Sequence, residues 1–386
     1  MNIALAAGGR FHAFHLARQL YKRGMLTRFF SAGGQWADQD EFRGALVNNE
    51  LIRLIDQCYF KLRINHFVPQ SSWYVFKDGY FDRWLSQHVQ ELGNLDIFVG
   101  WAHYVLESLP HIRQRTGAKI IIECGSMHID EHAKILQREY ERLGLIIQPV
   151  RQENRDKIKA EYEAADFISV PSEHVKQSFM KNGVDGSKLL KVPYGVDIRK
   201  FCAVSYFRPK KFSVIFAGRI CLGKGIEYLL RAWKRLGFSK EQAELVLVGH
   251  VESDIQVLGP ELLNQETVFF AGSCRQEELA SYYTRSSLFV LPSLAEGLAM
   301  VIAEAMSSGL PILATTNSGA CELIQDGEHG FIVPTHDELA LAEKILWFHD
   351  NQNEGFEMGR KGQRRILEQT WDQYGEQIVR VYESIL

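Results

Sequence analysis

The stretch SLFVLPSLAEGLAMVIAEAMSSGLPILAT, residues 287–315, alternates an apolar run, a loop bracketed by Pro292 and Gly297, a helical segment starting near Leu298, a stop at Gly309 and a second apolar run. Short apolar runs on either side of one helix suit parallel strands buried on both faces, joined by a crossover that returns the chain to the same end of the sheet. The pattern extends outward in both directions. Upstream, KFSVIFAG, ELVLVG and TVFFAG read as strands separated by helical stretches such as GIEYLLRAWKRLG and QEELASYYTRS, and downstream GFIVP reads as another strand. The same alternation occupies the first half of the chain, with NIALAA, a helix from about Phe11 to Arg23, then LDIFVG, AKIIIE and DFISVP. The expectation is an α/β protein with two doubly wound domains, 1–204 and 205–370. DIRKFCAVSYFRPKK, residues 197–211, is the expected linker. Residues 43–90, rich in aromatic and basic residues and without a clear strand, read as a helical insertion with a small core of its own.

Composition narrows the class. A chain of 386 residues, 46% hydrophobic, can bury two large cores, and no apolar run is long enough to span a membrane. The amino terminus shows no signal-peptide pattern, so a cytoplasmic location is expected. Six scattered cysteines without a C-x-x-C pair fit neither a zinc site nor a disulfide framework, and a net charge of -3 offers no global field for nucleic acid.

Chemistry concentrates at the carboxyl ends of the strands, where ligands bind in open α/β sheets. Gly8 and Gly9 follow the first strand and permit a tight turn before a helix start. In FAGRICLGKGIEYLL, Arg219 follows the strand end and Lys224 stands between two glycines, a pair of cations suited to phosphate. No P-loop pattern is present. In the opening stretch the amides of Ala299, Met300 and Val301 are expected to lie free at the helix start, an anion seat formed with Gly297 and Leu298. Glu296 and Glu304, eight residues apart, would then face one crevice from different depths. Carboxylates beside a phosphate site make sense when they accept the hydroxyls of a ribose and of a sugar, which points to a nucleoside-diphosphate sugar.

Four segments in order, GGRFHAFHLARQLYKRG, ADFISVPSEHVKQSFMKNGVDGSKLLKVPYGVDIRKF, FAGRICLGKGIEYLLRAW and PSLAEGLAMVIAEAMSSGLPILAT followed by SGACELIQDGEHGFIVP, make the chain similar to the retaining glycosyltransferases of family 4. The resemblance implies the GT-B fold, two Rossmann-like domains across a cleft, with an E-x7-E signature. It implies that Arg219 and Lys224 hold the donor diphosphate, Glu304 the ribose and Glu296 the transferred sugar, with Gly9 close to the β-phosphate. It implies retention at the anomeric carbon, a UDP- or GDP-linked donor, a glycan or lipid-linked acceptor of envelope or exopolysaccharide assembly, and no metal or other cofactor. The terminal WDQYGEQIVRVYESIL, within 371–386, resembles a last helix that crosses back to the first domain. The family's donor-facing histidine has three candidate positions here, Glu123, His128 and His103, with His128 carried forward as the catalytic candidate. NSGACE, with Ser318, Gly319 and Glu322, departs from the family's Gly-Gly-acid pattern. A non-catalytic scaffolding relative is the competing reading, and a phosphorylase lacks an identifiable pyridoxal lysine. Peripheral membrane contact through 43–90 is a further expectation, because aromatic and basic residues together suit an anionic lipid surface.

Overall fold

In the computed structural model the described residues are 1–9, 12–32, 41–62, 67–68, 70–197, 201 and 209–386. They form two wholly parallel sheets. The first has seven strands in the order β3-β2-β1-β4-β5-β6-β7: β1 Ile3–Ala7, β2 Leu26–Ser31, β3 Leu46–Asn48, β4 Ile97–Trp101, β5 Lys119–Glu123, β6 Phe167–Val170 and β7 Leu189–Lys191. The second has six in the order β10-β9-β8-β11-β12-β13: β8 Phe212–Ala217, β9 Ala243–Val248, β10 Val268–Gly272, β11 Leu288–Leu291, β12 Ile312–Thr315 and β13 Gly330–Val333. Each sheet reverses its winding once, between β1 and β4 and between β8 and β11, and the loops after those four strands open into the crevice such a reversal creates. This is the GT-B architecture that the resemblance implied.

The central strands are buried along their whole length, β1, β4, β8 and β11 without a single exposed position. Helices cover both faces. The Ile226–Leu236 helix illustrates how: Leu229, Leu230 and Trp233 turn inward while Lys234 and Arg235 occupy the last turn, near the negative end of the helix dipole.

Two expectations need correction. Residues 43–90 contain a strand, because Leu46–Asn48 pairs in parallel with β2 at the sheet edge. Nor do they hold a separate core: the Gln70–His88 helix sends Phe81 and Leu85 into the cluster under the first sheet, with Phe98 and Ile120. Part of this segment, 63–66 and 69, and most of the proposed linker, 198–200 and 202–208, lie outside the described residues.

The carboxyl-terminal Trp371–Glu383 helix packs on the Ala13–Lys22 helix of the first domain. His15 and Trp371 stack at 4.0 Å, and Asp372 accepts from Gln19 at 3.0 Å and pairs with Lys22 at 3.1 Å. The chain therefore crosses between the domains twice. The crossings touch, since Val196 N–H donates to the Gln369 carbonyl at 2.8 Å and a Cβ on Gly195 would stand 2.5 Å from Trp371 backbone.

Candidate active site

The second domain contributes the loops after β8 and β11. Gly218 closes β8 with a left-handed φ of 145°, and Arg219 extends outward, 69% exposed, with Glu252 at 3.8 Å. The next turn brings Lys224 back toward the loop after β11, where its ammonium pairs with the carboxylate of Glu296. Gly225, at φ 68°, makes this possible: a Cβ there would lie 2.0 Å from the carbonyl oxygen of Pro292. Ser293 Oγ donates to Glu296 at 2.9 Å, so the acid is anchored on two sides.

The Met300–Ser307 helix begins two residues later than the sequence pattern suggests, with Ala299 as its N-cap. Of the three amides expected at the anion seat, that of Ala299 donates to the Ser318 carbonyl at 3.1 Å and is not available to a ligand. The seat is thus reduced to Met300 and Val301, both half-buried. Gly297, Leu298 and Ala299 serve instead as buried scaffold, with Gly319 packed on them at φ 78°. Glu304 is half-buried one turn along, close enough to the buried Tyr283 hydroxyl that its charge, after desolvation, raises the phenol pKa.

The first domain brings its own groups to the same crevice. Gly8 sits under the ring of Tyr104, since a Cβ there would be 2.2 Å from it. Of the three candidate positions, Glu123 is buried, hydrogen-bonded through Oε1 to His12 Nε2 at 2.8 Å, with that imidazole tilted at 31° against the Tyr194 ring, 4.0 Å between centroids. His128 is also buried. It caps the Ile129–Arg142 helix by accepting the Asp130 N–H at 3.2 Å, and its ring packs against Tyr162 and Phe179. His103 alone of the three is exposed, after β4 at the winding reversal. Its pKa is nonetheless pulled down to about 4, by desolvation first and then by Lys157 and His132. His103 stands at the carboxyl end of β4, where the loops at the winding reversal open into the crevice.

His132 was not singled out from the sequence. It stands on the Ile129–Arg142 helix at the head of a stripe that faces the second domain: Leu136 approaches Gly223 to 3.0 Å of an ideal Cβ, and Tyr140 donates to Asp254 at 3.0 Å. Positions 132, 136 and 140 share one helix face. Accordingly His132 is shifted down by burial, and Glu296, Arg219 and Lys224 all act on it electrostatically. The i, i+4 spacing was legible; which way the face turned was not.

Two bridges flank this crevice. On one side Ser172 Oγ donates to the Gly297 carbonyl and His174 Nε2 to the Glu296 carbonyl, each at 2.7 Å, while Glu322 accepts the Glu173 N–H at 2.6 Å. On the other, Arg142 pairs with Glu139 and Glu227, and Tyr228 donates to Glu139 at 2.9 Å. Glu322 thus joins the domains. Among the described residues no cluster of three or more His, Cys, Asp or Glu side chains has the arrangement of a metal site.

Residues 197–365 match the family of glycosyl transferases described as group 1. The sulfoquinovosyl transferase SQD2 of Arabidopsis thaliana is 29% identical over 208 residues, 50% of this chain and 39% of that protein. The MMP alpha-(1->4)-mannosyltransferase of Mycolicibacterium hassiacum is 29% identical over 225 residues, covering 57% and 54%. The chain spans about half, or less, of the length of these curated relatives. Sucrose-phosphate synthase from Thermosynechococcus elongatus aligns over 100% of this chain and 99% of its own with a TM-score of 0.70 at 20% identity. Anabaena Alr3699/HepE in complex with UDP and glucose aligns over 100% of both chains with a TM-score of 0.68 at 16% identity. The second domain, with Arg219, Lys224, Glu296 and Glu304, therefore carries the sequence pattern of the group 1 glycosyl transferases, on a chain folded throughout as GT-B.

Proposed function

We propose that this protein is a glycosyltransferase that moves a sugar from a nucleoside-diphosphate sugar to a glycan or lipid-linked acceptor. The observation that carries the reading is that Arg219, Lys224 and Glu296, on the loops at the winding reversal of the second sheet, all act on His132 of the first domain. Arg219 and Lys224 take the diphosphate with the amides of Met300 and Val301. Glu296 accepts hydroxyls of the transferred sugar, and Glu304 those of the ribose. His103 replaces His128 as the first-domain group beside the donor sugar, because the His128 ring is enclosed in its own domain.

In the reaction, the bond between the anomeric carbon and the diphosphate oxygen breaks and its electron pair stays on that oxygen. The acceptor oxygen forms the new bond from the same face, and its proton passes to the departing phosphate, which gives retention. Charge that develops on the diphosphate is met by Arg219 and Lys224, so side-chain cations supply the electrostatic stabilisation. No carboxylate is assigned as a covalent nucleophile.

Thermal shift against UDP, GDP and ADP, followed by turnover with their sugars, tests the reading. Ligand binding to the folded state raises Tm with concentration. Arg219→Ala and Lys224→Ala are expected to abolish that shift and lower kcat/KM about a hundredfold, by analogy with removal of a donor to a developing anion. Normal turnover by both variants would sink the assignment.

We further propose a peripheral membrane contact through the helices Glu50–Lys61 and Gln70–His88, on the basis of Leu51, Leu54, Tyr74 and Phe76, all at least 41% exposed. Flotation with anionic liposomes is the check, and a protein wholly retained in the soluble fraction rejects it. Among the described residues no helix is long and apolar enough to cross a membrane.

A further inference from the structure

The loop after β4, residues 102–108, is held in an unusual way. His103 has a φ of 87°, a left-handed conformation that a side chain with a Cβ adopts only under constraint, and shares this with one other non-glycine among the described residues, His336. The constraint is a carboxylate. Glu161, on the Gln152–Ala164 helix and fully buried, accepts the N–H of His103 at 2.6 Å and that of Val105 at 3.1 Å. A second buried carboxylate repeats the arrangement further along: Asp82 accepts the N–H groups of Glu107 at 2.8 Å and Ser108 at 2.9 Å. Lys157 lies 3.8 Å from Asp82, and its charge reaches both Glu161 and His103.

We propose that Glu161 is a positioning residue for sugar transfer: by taking both amides it fixes the left-handed turn that aims the His103 imidazole into the cleft. The inference rests on the reading of that cleft as the donor site. Glu161 cannot touch a substrate itself, since it has no exposed surface. Burial also makes it an expensive choice of anchor. Desolvation drives its pKa up to about 7, against the two backbone hydrogen bonds and Lys157, which favour the charged form. A group that merely filled space would not need one carboxylate oxygen for the His103 amide and the other for the Val105 amide. Glutamine in its place offers one carbonyl oxygen for two donors, with its NH2 facing the other.

The test compares Glu161→Gln, His103→Ala, the double variant and Arg219→Ala in the full-length chain, read by Tm, by thermal shift with UDP and GDP, and by kcat and KM for the donor that turns over. Glu161→Gln is expected to keep the nucleotide shift and donor KM while kcat falls about ten- to a hundredfold, the scale of a small misplacement at a reacting group. In the His103→Ala background the same change should alter kcat by less than about twofold, because coupled residues are not additive. An undiminished kcat, or an equal loss with and without His103, overturns the proposal and leaves the donor site standing. Unchanged nucleotide binding and turnover in Arg219→Ala overturns the donor-site reading instead. Should Glu161→Gln be too unstable to assay, hydrogen exchange on the wild-type chain reads the same contact. Slow exchange of the His103 and Val105 amides is expected, and exchange at the rate of an exposed loop overturns the proposal.

Discussion

At the scale of single residues, Gly225 and His174 show how tightly the loops after β8 and β11 are built. A Cβ on Gly225 meets both a forbidden φ and the Pro292 carbonyl, so Gly225→Ala should lose roughly 2 kcal/mol or more of stability in urea unfolding, in excess of the usual cost of a strained φ alone. His174 donates to the Glu296 carbonyl, and burial holds its pKa below the ordinary imidazole value of 6.5, with Glu296 and Glu322 opposing. A histidine with a depressed folded pKa favours the folded state fully above the unfolded value, and that advantage is lost as pH falls below it. The Tm of the wild type relative to His174→Gln is therefore expected to be constant above pH 7 and to shrink steadily as pH falls from 6.5; a difference independent of pH would contradict it. Side chains at strand ends were legible for a physical reason: Arg219, Lys224, Glu296 and Glu304 follow or flank apolar runs whose direction fixes where their ends lie. His128 and His103 were not separable, because capping a helix and facing a crevice leave the same letter in the sequence. The Ala299 amide was invisible for a related reason, since its acceptor, Ser318, comes from a loop beyond the next strand.

At the scale of elements, the Gln70–His88 helix does two things. It buries Phe81 and Leu85 under the first sheet, and through Asp82 it holds the far end of the loop after β4. Asp82→Ala would take the acceptor from the Glu107 N–H and leave the buried Ser108 N–H with the Val105 carbonyl at 3.1 Å as its one acceptor, and is expected to cost about 2–3 kcal/mol in denaturant unfolding, against about 1 kcal/mol for an ordinary lost hydrogen bond. A cost no larger than the latter would mean that the loop relaxes to find other acceptors. The six strands of the second sheet were all readable as apolar runs: β8, β11 and β12 because flanking helices bury both faces, and β10 from its apolar residues alone, since Phe269 and Phe270 are exposed at the sheet edge. In the first sheet β2, β3 and β7 were missed: Thr27 and Arg28 interrupt β2, which is only half-buried there, and β3 and β7 have three residues each, too few to show a period. The aromatic and basic residues of 43–90 obscured β3 further, since edge strands tolerate polar composition that central ones exclude.

At the scale of the whole molecule, the domains meet through small surfaces on either side of the crevice. Gly297 is a point of tight approach, where a Cβ would fall 1.8 Å from the Gly125 carbonyl of the other domain. Gly297→Ala should push the domains apart at this lip without unfolding either, seen as a larger radius of gyration by small-angle scattering and a raised donor KM. An unchanged radius with a lowered Tm would show that the second domain, not the contact between domains, had absorbed the change. On the opposite edge, the contact of Gly195 and Val196 with Gln369 to Trp371 has a mechanical consequence. Two strands of chain tied together at one place act as a single pin rather than as two independent tethers. Any relative movement of the two domains would pivot at that one place, so the distances of His103 and of Lys224 from it would stay fixed while the gap between them changed.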